Sequence, residues 1–287
     1  MLKKIARALL FPFIKYPLLR ILTWGQILVN LSGITIKDKS NLYLSAFMDI
    51  LWCISHPRTV QNPICRFACQ VYARRLGVRF SIRANSDDVY SVLPYREGNV
   101  HSAILNPLSA GDIFVDVGAN VGYYTILASK RVGKQGHVIA IEPFPETVEQ
   151  LKLNIGVNCA YNIEVIESAV WSESNMKLVP KFTKGFWGQV RLEPNVEETN
   201  EKIHVPAKCI DDICKVYPFI KVLKIDIEAT EYEALKGAKE TLAKTQFVIT
   251  ECNQNREQIV CLLKEAGFQI QKLNFCTYIL ASKPAQF

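Results

Sequence analysis

A buried strand that leads into a glycine turn and then a helix restricts the fold of this chain more than any other feature. Residues 112–128 read DIFVDVGANVGYYTILA, in which an apolar run ends at Asp116 and Val117. Gly118 allows a sharp turn and removes a side chain where a ligand must approach, and Gly122 allows the following helix to pack closely. The segment therefore predicts an open α/β sheet with a ligand site beside this loop, because such sheets bind ligands at the carboxyl ends of their strands.

The chain beyond this loop alternates between short apolar runs and helical periods, as parallel sheets covered on both faces do. The spacing predicts strands at 113–117, 138–141, 163–167, 222–227, 247–250, 268–271 and 276–281. Apolar residues at helical spacing predict helices at 146–157 and 231–243. The irregular, charged stretch 175–207 is interpreted as an insertion or hairpin near the site. The predicted fold class is thus α/β, a Rossmann-like doubly wound sheet.

Charge separates the first part of the chain from the rest. Residues 1–110 carry 14 Lys and Arg against 5 Asp and Glu, a balance of 14 − 5 = +9, whereas the remainder balances to 20 − 22 = −2. Such a basic region fits an anionic partner or simply a solvated surface. Helical spacing over 41–75 and a strand-like run at 78–82 indicate a mainly helical accessory region. We therefore predict an apolar, basic segment at 1–36, an accessory region at 37–110 and a ligand-binding domain at 111–287.

Residues 1–36 are apolar and basic, as a signal sequence or a membrane anchor would be. Lys15 and Arg20 interrupt the apolar run, and the uncharged stretch 21–36 is shorter than the roughly 20 residues that a spanning helix needs. A spanning helix is therefore disfavoured. A helix that lies in the membrane interface and a helix packed on its own domain or on a partner both fit the pattern.

The cysteines and histidines predict neither a disulfide framework nor a metal site. The nine cysteines are scattered, without a CxxC pair or a cluster with the four histidines at zinc-ligand spacing. This usage fits a reduced compartment. We expect a cytoplasmic protein, with contact between residues 1–36 and the cytoplasmic face of a membrane as the open alternative.

An acidic residue closes the second predicted strand. Glu142 ends the run HVIAIE and precedes Pro143, at the position where a carboxylate accepts hydrogen bonds from two ribose hydroxyls. The loop is not GxGxxG, because Asn120 interrupts that spacing, so a pyrophosphate ligand is not predicted. Together the loop and the acid predict an adenosine-bearing ligand. A flavodoxin-like fold that binds a different ligand is the alternative.

At these positions the chain resembles the class I S-adenosylmethionine-dependent methyltransferases, specifically the FkbM-type family, over roughly residues 82–281. The landmarks are VDVGANVGYYT (115–125), IAIEPFPE (139–146), ESAVWSE (167–173), CIDDI (209–213), LKIDIEATEYEALKGA (223–238) and ITEC (249–252). The resemblance implies a seven-stranded sheet with an antiparallel last strand and S-adenosylmethionine as methyl donor. It also implies methylation of a hydroxyl or carboxyl oxygen on a glycan or natural product.

The resemblance assigns roles to individual positions. The residues that it places at the cofactor are Asp116, Gly118, Ala119, Asn120, Gly122, Tyr123, Glu142, Pro143, Ser168 and Ala169. The glycine loop from Asp116 to Asn120 would line the methionine part of the cofactor. Glu142 would hold the ribose, and Ser168 with Ala169 would border the adenine.

Three acids are the predicted catalytic residues. The resemblance places Asp226 and Glu228 opposite the transferred methyl group, and Glu251 ends the next predicted strand. A hydroxyl acceptor must lose its proton, and a positioned carboxylate can take it. The alternative is that Glu228 or Glu231 only caps the following helix. The family usually has glycine after the second acid, where this chain has Ala229.

Three functions are compatible with these patterns. The first is an enzyme that O-methylates a sugar hydroxyl of a glycan or glycolipid, with Phe186 and Trp187 available to stack on the acceptor. The second is an RNA methyltransferase, which the basic charge favours, although no NPPY-like motif is present and a nucleic-acid partner is not expected. The third is a non-catalytic module that keeps the fold and binds a partner.

Overall fold

The chain divides into two compact units, Met1–Arg96 and Glu97–Phe287. The computed structural model describes residues 2–56, 61–182, 190–194, 204–273 and 277–284. The division differs from the predicted limits at residues 36 and 110. Strand pairing joins residues 31–33 to residues 71–73 within the first unit, and the helix at 99–105 packs within the second.

The first unit combines two long helices with a small antiparallel sheet. Its elements are α1 (Leu2–Asn30), β1 (Leu31–Gly33), α2 (Ile36–Ser55), β2 (Cys69–Ala73), β3 (Val78–Ile82) and α3 (Asp88–Ser91). The strands pair in the order β1-β2-β3. The prediction of a strand at 78–82 is confirmed. The prediction of helix over 41–75 is correct as far as Ser55 and wrong for β2, whose residues alternate between buried and exposed positions as a strand requires.

A capping box starts α2. The Asp38 amide donates to Thr35 Oγ1 at 3.1 Å, and the Thr35 amide donates to Asp38 Oδ2 at 2.9 Å. Each residue thereby satisfies an amide group that the first helical turn leaves unpaired. Asp38 Oδ1 also accepts the Gln70 amide at 2.9 Å, which ties the helix to β2.

A buried ion pair links α1 to α2. The Arg20 guanidinium donates to Asp49 Oδ2 at 2.6 Å, and the Trp24 indole donates to the same oxygen at 2.8 Å. Arg20 also donates to the carbonyl oxygens of Gln61 and Asn62, at 2.7 and 2.9 Å. Arg20 and Asp49 are almost completely shielded from water, so each charge depends on the other.

Among the described residues, no helix combines the length and apolarity needed to cross a bilayer.

The second unit contains two sheets and the helices that cover them. It begins with α4 (Asn99–Leu105), β4 (Ile113–Val117), α5 (Tyr123–Val132), β5 (His137–Ile141), α6 (Pro145–Val157), β6 (Ile163–Ile166), β7 (Ala169–Val170), β8 (Lys177–Phe182) and β9 (Val190–Pro194). It continues with β10 (Val205–Lys208), α7 (Ile210–Cys214), β11 (Ile220–Ile225), α8 (Glu231–Lys236), α9 (Lys239–Ala243), β12 (Thr245–Glu251), α10 (Arg256–Glu265), β13 (Gln269–Lys272) and β14 (Tyr278–Ser282).

The main sheet has seven strands in the order β13-β14-β12-β11-β4-β5-β6. Strands β6, β5, β4, β11 and β12 are parallel, and β14 runs antiparallel to both of its neighbours. The predicted Rossmann-like sheet with an antiparallel last strand is thus confirmed. Successive side chains cover opposite faces: Val115 and Leu223 pack with α8 and α10, whereas Phe114 and Val222 pack with α4 and α5.

Two predictions about the later elements change in detail. The predicted helix 231–243 is two helices, α8 and α9, which separate at Gly237. A Cβ atom on Gly237 would lie 2.5 Å from the Trp171 carbonyl oxygen, so the backbone passes too close for a side chain. The predicted insertion 175–207 contains the antiparallel hairpin β8–β9, in a four-stranded sheet ordered β7-β10-β8-β9. Phe186 and Trp187 lie outside the described residues.

Candidate active site

The glycine loop after β4 adopts left-handed backbone conformations at Gly118, Asn120 and Gly122, with φ of 79°, 49° and 92°. A Cβ atom on Gly118 would lie 2.0 Å from the Asp226 carbonyl oxygen. The space that a side chain would take at Gly118, which the sequence pattern assigns to an approaching ligand, is therefore occupied by the backbone that follows β11. At Gly122 an added Cβ would lie 2.5 Å from Leu151 Cδ1, so this glycine also makes room for α6.

A buried lysine holds the base of this loop. Lys224 lies opposite Asp116 in the β4–β11 register, and its Nζ donates to Asp116 Oδ1 at 2.9 Å and to the Gly118 carbonyl oxygen at 3.0 Å. Thr125 donates to the other Asp116 oxygen at 2.6 Å. Asp116 is 1% exposed, so its carboxylate is occupied by these contacts with Lys224 and Thr125.

Lys224 also lies 3.9 Å from Asp226 Oδ2. Burial acts to lower the pKa of Lys224, but the charges of Asp116 and Asp226 outweigh it and raise this pKa above its usual value. Sequence reasoning missed this residue. A lysine inside the apolar run VLKI was the available signal, because a buried strand rarely carries a charge without a partner.

Glu142 follows β5 and is almost fully buried. Its Oε2 accepts the Asn120 amide at 3.0 Å, and its Oε1 accepts the Phe144 amide at 3.3 Å. Burial raises the pKa of Glu142 to about 7, since these hydrogen bonds only partly offset the loss of water. Each carboxylate oxygen keeps acceptor capacity for one further donor, which fits the two hydroxyls of a ribose.

The other predicted cofactor residues occupy different environments. Ser168 and Ala169 are buried, and the Ser168 hydroxyl lies 3.1 Å from the Pro206 carbonyl oxygen of β10. Ala119 is buried, whereas Pro143 is half-buried. The Tyr123 hydroxyl lies 3.1 Å from His101 Nδ1, which places a histidine without a predicted role beside the start of α5.

Three acids cluster where β11 and β12 end. Asp226 accepts a hydrogen bond from the Tyr278 hydroxyl at 2.9 Å. Burial, with the charges of Asp226 and Glu231, raises the pKa of Glu228 to about 7. Burial, with the charges of Asp226, Glu228 and Glu231, raises the pKa of Glu251 to about 8. The structure therefore brings the three predicted catalytic acids within electrostatic reach of one another.

Glu231 shapes the turn between β11 and α8. It is 1% exposed, and its Oε1 accepts the amides of Ile227 and Ala229, each at 3.2 Å. Thr230 is the N-cap of α8, and its own side chain makes no capping hydrogen bond. Glu231 also accepts its own backbone amide in the first turn of α8, which fits the capping alternative for Glu231. Capping by Glu228 stays a prediction. Within the described part of the chain, no group of three or more His, Cys, Asp or Glu could hold a metal ion.

Comparison with known families identifies the family of this chain. The model of the methyltransferase FkbM domain matches residues 116–280, which run from the glycine loop through β14. The chain belongs to the FkbM methyltransferase family. It is therefore an S-adenosylmethionine-dependent methyltransferase, and the family resemblance noted in the sequence is confirmed.

Individual relatives of this FkbM-family chain are distant. Methyltransferase sdnD from Sordaria araneosa is 27% identical over 199 residues, which cover 58% of this chain and 76% of that protein. Hexuronic acid methyltransferase AglP from Haloferax volcanii is 25% identical over 213 residues, 69% of this chain and 81% of that protein. A solved S-adenosylmethionine-dependent O-methyltransferase from Thermotoga maritima aligns with a TM-score of 0.42 and 14% identity, over 77% of this chain and 79% of that one.

Alanine at position 229, where the family usually has glycine, raises the conformational free energy of this turn. Ala229 has a φ of 75°, and Glu228 before it has a φ of 54°. A left-handed conformation costs a residue with a Cβ about 1 to 2 kcal/mol relative to glycine. The turn of this FkbM-family protein therefore stores strain where the family usually has glycine.

We expect Ala229→Gly to raise the free energy of unfolding by about 1 kcal/mol, because glycine adopts this φ without strain. Urea denaturation followed by circular dichroism measures the change. Ala234→Gly, inside α8, is the matched control and is expected to destabilise the protein. A lower stability for Ala229→Gly would contradict the assignment of strain to this turn.

Proposed function

We propose that this FkbM-family protein transfers the methyl group of S-adenosylmethionine to a hydroxyl oxygen of a sugar, in a glycan or glycolipid. The observation that carries the proposal is the carboxylate cluster at the ends of β11 and β12, in which Glu251 has a pKa raised to about 8. A sugar hydroxyl is a weak nucleophile, and a base with a pKa near neutrality suits the removal of its proton.

A relative supports the sugar acceptor. AglP carries the name hexuronic acid methyltransferase and aligns with 69% of this chain at 25% identity. That acceptor belongs to AglP, and at this identity it suggests a class of substrate for this chain. Members of one fold family accept unrelated substrates, so the site itself has to be tested.

The residues at the glycine loop fit S-adenosylmethionine. Glu142 is a buried carboxylate whose raised pKa reflects lost solvation, and two ribose hydroxyls would supply the missing donors. The loop from Gly118 to Gly122 would lie along the methionine part, held from below by Asp116 and Lys224. S-adenosylmethionine supplies an electrophilic methyl group when bound.

The acids have distinct roles in this proposal. Asp226, which Tyr278 and Lys224 hold in place, orients the acceptor hydroxyl. Glu251 takes the proton of that hydroxyl, and the charge of Glu228 helps to keep the pKa of Glu251 high. Correct alignment of the two reacting groups supplies much of the catalysis in such transfers.

Glu251→Gln is expected to lower kcat by about a hundredfold or more, the usual contribution of a positioned base. In the native enzyme the rate should rise as the pH rises through about 8, because only the carboxylate form of Glu251 accepts a proton. In Glu251→Gln this rise should be lost. Transfer of labelled methyl groups to hexuronic acids, neutral hexoses and total RNA measures the rate and identifies the acceptor.

Binding of S-adenosylhomocysteine, followed by calorimetry, provides the controls. Glu251→Gln should bind it like the native protein, whereas Glu142→Ala should not. The folded protein favours the protonated form of Glu251, so its contribution to stability falls as the pH rises through about 8. Glu251→Gln should consequently be as stable as the native protein or more so at alkaline pH. Methylation of RNA alone would refute the sugar acceptor, and a native rate that does not change with pH would refute the base.

A further inference from the structure

The second helix of the chain, α2, carries its large apolar side chains on the outside. Tyr43, Leu44, Phe47, Met48, Leu51 and Ile54 are each between 44% and 61% exposed. The inward positions of the same helix hold one large apolar residue, Leu42, and otherwise the smaller or polar residues Ser45, Ala46, Asp49 and Cys53. We propose that this outer face of α2 docks on the surface of an anionic lipid bilayer. The inference does not depend on the proposed function.

Most large apolar side chains of α2 are on its exposed side, which is the opposite of their usual position in a helix of a water-soluble domain. Such a helix buries its large apolar residues and exposes its polar ones. Here the buried side carries an ionised residue, Asp49, paired with Arg20. On α1, which packs against α2, Leu18, Leu19 and Leu22 are also about half exposed. Large exposed apolar patches mark contact sites for membranes or proteins.

Charge distinguishes lipid from other occupants. Residues 1–56 contain seven Lys and Arg and two Asp, a balance of 7 − 2 = +5. Both acids are engaged within the unit, Asp49 with Arg20 and Asp38 with amides of Thr35 and Gln70. Basic residues around an apolar helical face are the pattern of a helix that lies in the interface of an anionic membrane.

The positions of the basic residues along α2 support an anionic lipid bilayer as the occupant. Lys37, Leu44 and Leu51 are seven residues apart along α2, so they form one line on its surface. A lysine at the end of such a line can bury its aliphatic stem and keep its ammonium group at the level of the lipid phosphates. Lys39 is exposed close by.

A shallow cavity adjoins the same face. Met48, Trp52 and Phe67 line it with apolar atoms, and Arg66 adds a positive charge at its border. An aromatic side chain beside an arginine suits the boundary between acyl chains and headgroups. The apolar face therefore meets positive charge at Arg66 and at Lys37 and Lys39.

Flotation of the purified chain, residues 1–287, with vesicles tests the proposal. We expect binding to vesicles that contain phosphatidylglycerol and weaker binding to phosphatidylcholine alone. The double variant Phe47→Gln and Leu51→Gln should lower the partition into these vesicles about thirtyfold, since two half-exposed side chains lose their burial in lipid. Lys37→Gln with Lys39→Gln should lower it about fivefold per lysine, and added salt should weaken native binding.

A matched variant controls for the loss of exposed apolar side chains elsewhere. Leu153→Gln with Phe219→Gln changes residues that are 47% and 44% exposed in the other compact unit, and it should bind vesicles like the native chain. Thermal unfolding followed by circular dichroism checks that each variant folds. The lysine variant tests the surface independently if the apolar variant does not fold.

Three results would overturn the proposal. Equal vesicle binding by the native chain and the Phe47→Gln and Leu51→Gln variant would place the contact elsewhere. Native dimers that the same variant converts to monomers, without vesicle binding, would identify a second copy of the chain as the occupant. A native monomer that binds neither vesicle type would leave a protein partner as the occupant of this face.

Discussion

Lys224→Met is expected to lower the free energy of unfolding by about 3 to 5 kcal/mol, the usual cost of removing one partner from a buried ion pair. Among the residues that the structure describes, the Asp116 carboxylate would then keep Thr125 alone as a donor, in a position that is 1% exposed. The Gly118 carbonyl oxygen would lose its hydrogen bond at the same time. Because whole domains are stable by only about 5 to 15 kcal/mol, this loss is a large fraction of the total.

Cofactor binding should be lost in the same variant, because Lys224 joins β4, the glycine loop and Asp226. Urea denaturation and titration with S-adenosylhomocysteine measure the two effects. Lys221→Met is the matched control on the same strand. Lys221 is half-buried and donates to Gln246 Oε1, so this change should cost less than about 1 kcal/mol.

A double variant separates stability from binding. Lys224→Met with Asp116→Asn removes both charges of the pair, which often costs much less than the removal of one. We expect it to recover most of the lost stability and still to bind S-adenosylhomocysteine poorly. A single Lys224→Met variant that is as stable as the native protein and binds normally would show that the lysine does not anchor the loop.

Asp49→Ala is expected to destabilise the first compact unit by about 3 kcal/mol, at the lower end of the range for a broken buried pair. Arg20 would remain buried without its carboxylate, and the Trp24 indole would lose its acceptor. The carbonyl oxygens of Gln61 and Asn62 would still accept from Arg20, which limits the loss.

Two further variants show whether the loss of stability in Asp49→Ala comes from the broken ion pair. Asp49→Asn keeps an oxygen acceptor in place and should cost less than Asp49→Ala. Asp87→Ala changes a more exposed aspartate of the same unit, which accepts from the Asn62 side chain, and should cost less than about 1 kcal/mol. Urea denaturation measures all three variants. Equal, small losses for the two Asp49 variants would rule out a structural role for the ion pair.

Sequence patterns predicted the central sheet closely because its inner strands, such as β4, β5 and β11, are buried over nearly their whole length. The strand predicted at 113–117 has those limits in the structure, and the helix predicted at 146–157 is α6, which begins one residue earlier. Glycine and acidic residues at strand ends, such as Gly118 and Glu142, also indicated where the site lies. These signals are local, because each of them comes from residues that are close together in the sequence.

Contacts between distant residues were not predictable in the same way. Lys224 meets Asp116 across 108 residues, and Arg20 meets Asp49 across 29. No spacing rule connects such pairs. The strand β2 was interpreted as helix because its short alternation, CQVYA, is also compatible with a helical period when the pairing strands are unknown.

The hairpin β8–β9 is closed at its base by strand pairing and loop hydrogen bonds. β7 pairs with β10, the Trp171 amide donates to the Lys208 carbonyl oxygen at 3.1 Å, and the Asn175 amide donates to that of Ala207 at 2.9 Å. The two ends of the segment that contains the hairpin are thus held next to each other. Leu178 and Leu192 of the hairpin pack in one cluster with Trp171, and Phe144 lies against that cluster while its amide donates to Glu142. A change in the packing of the hairpin would consequently be transmitted through Phe144 to the carboxylate predicted to hold the ribose.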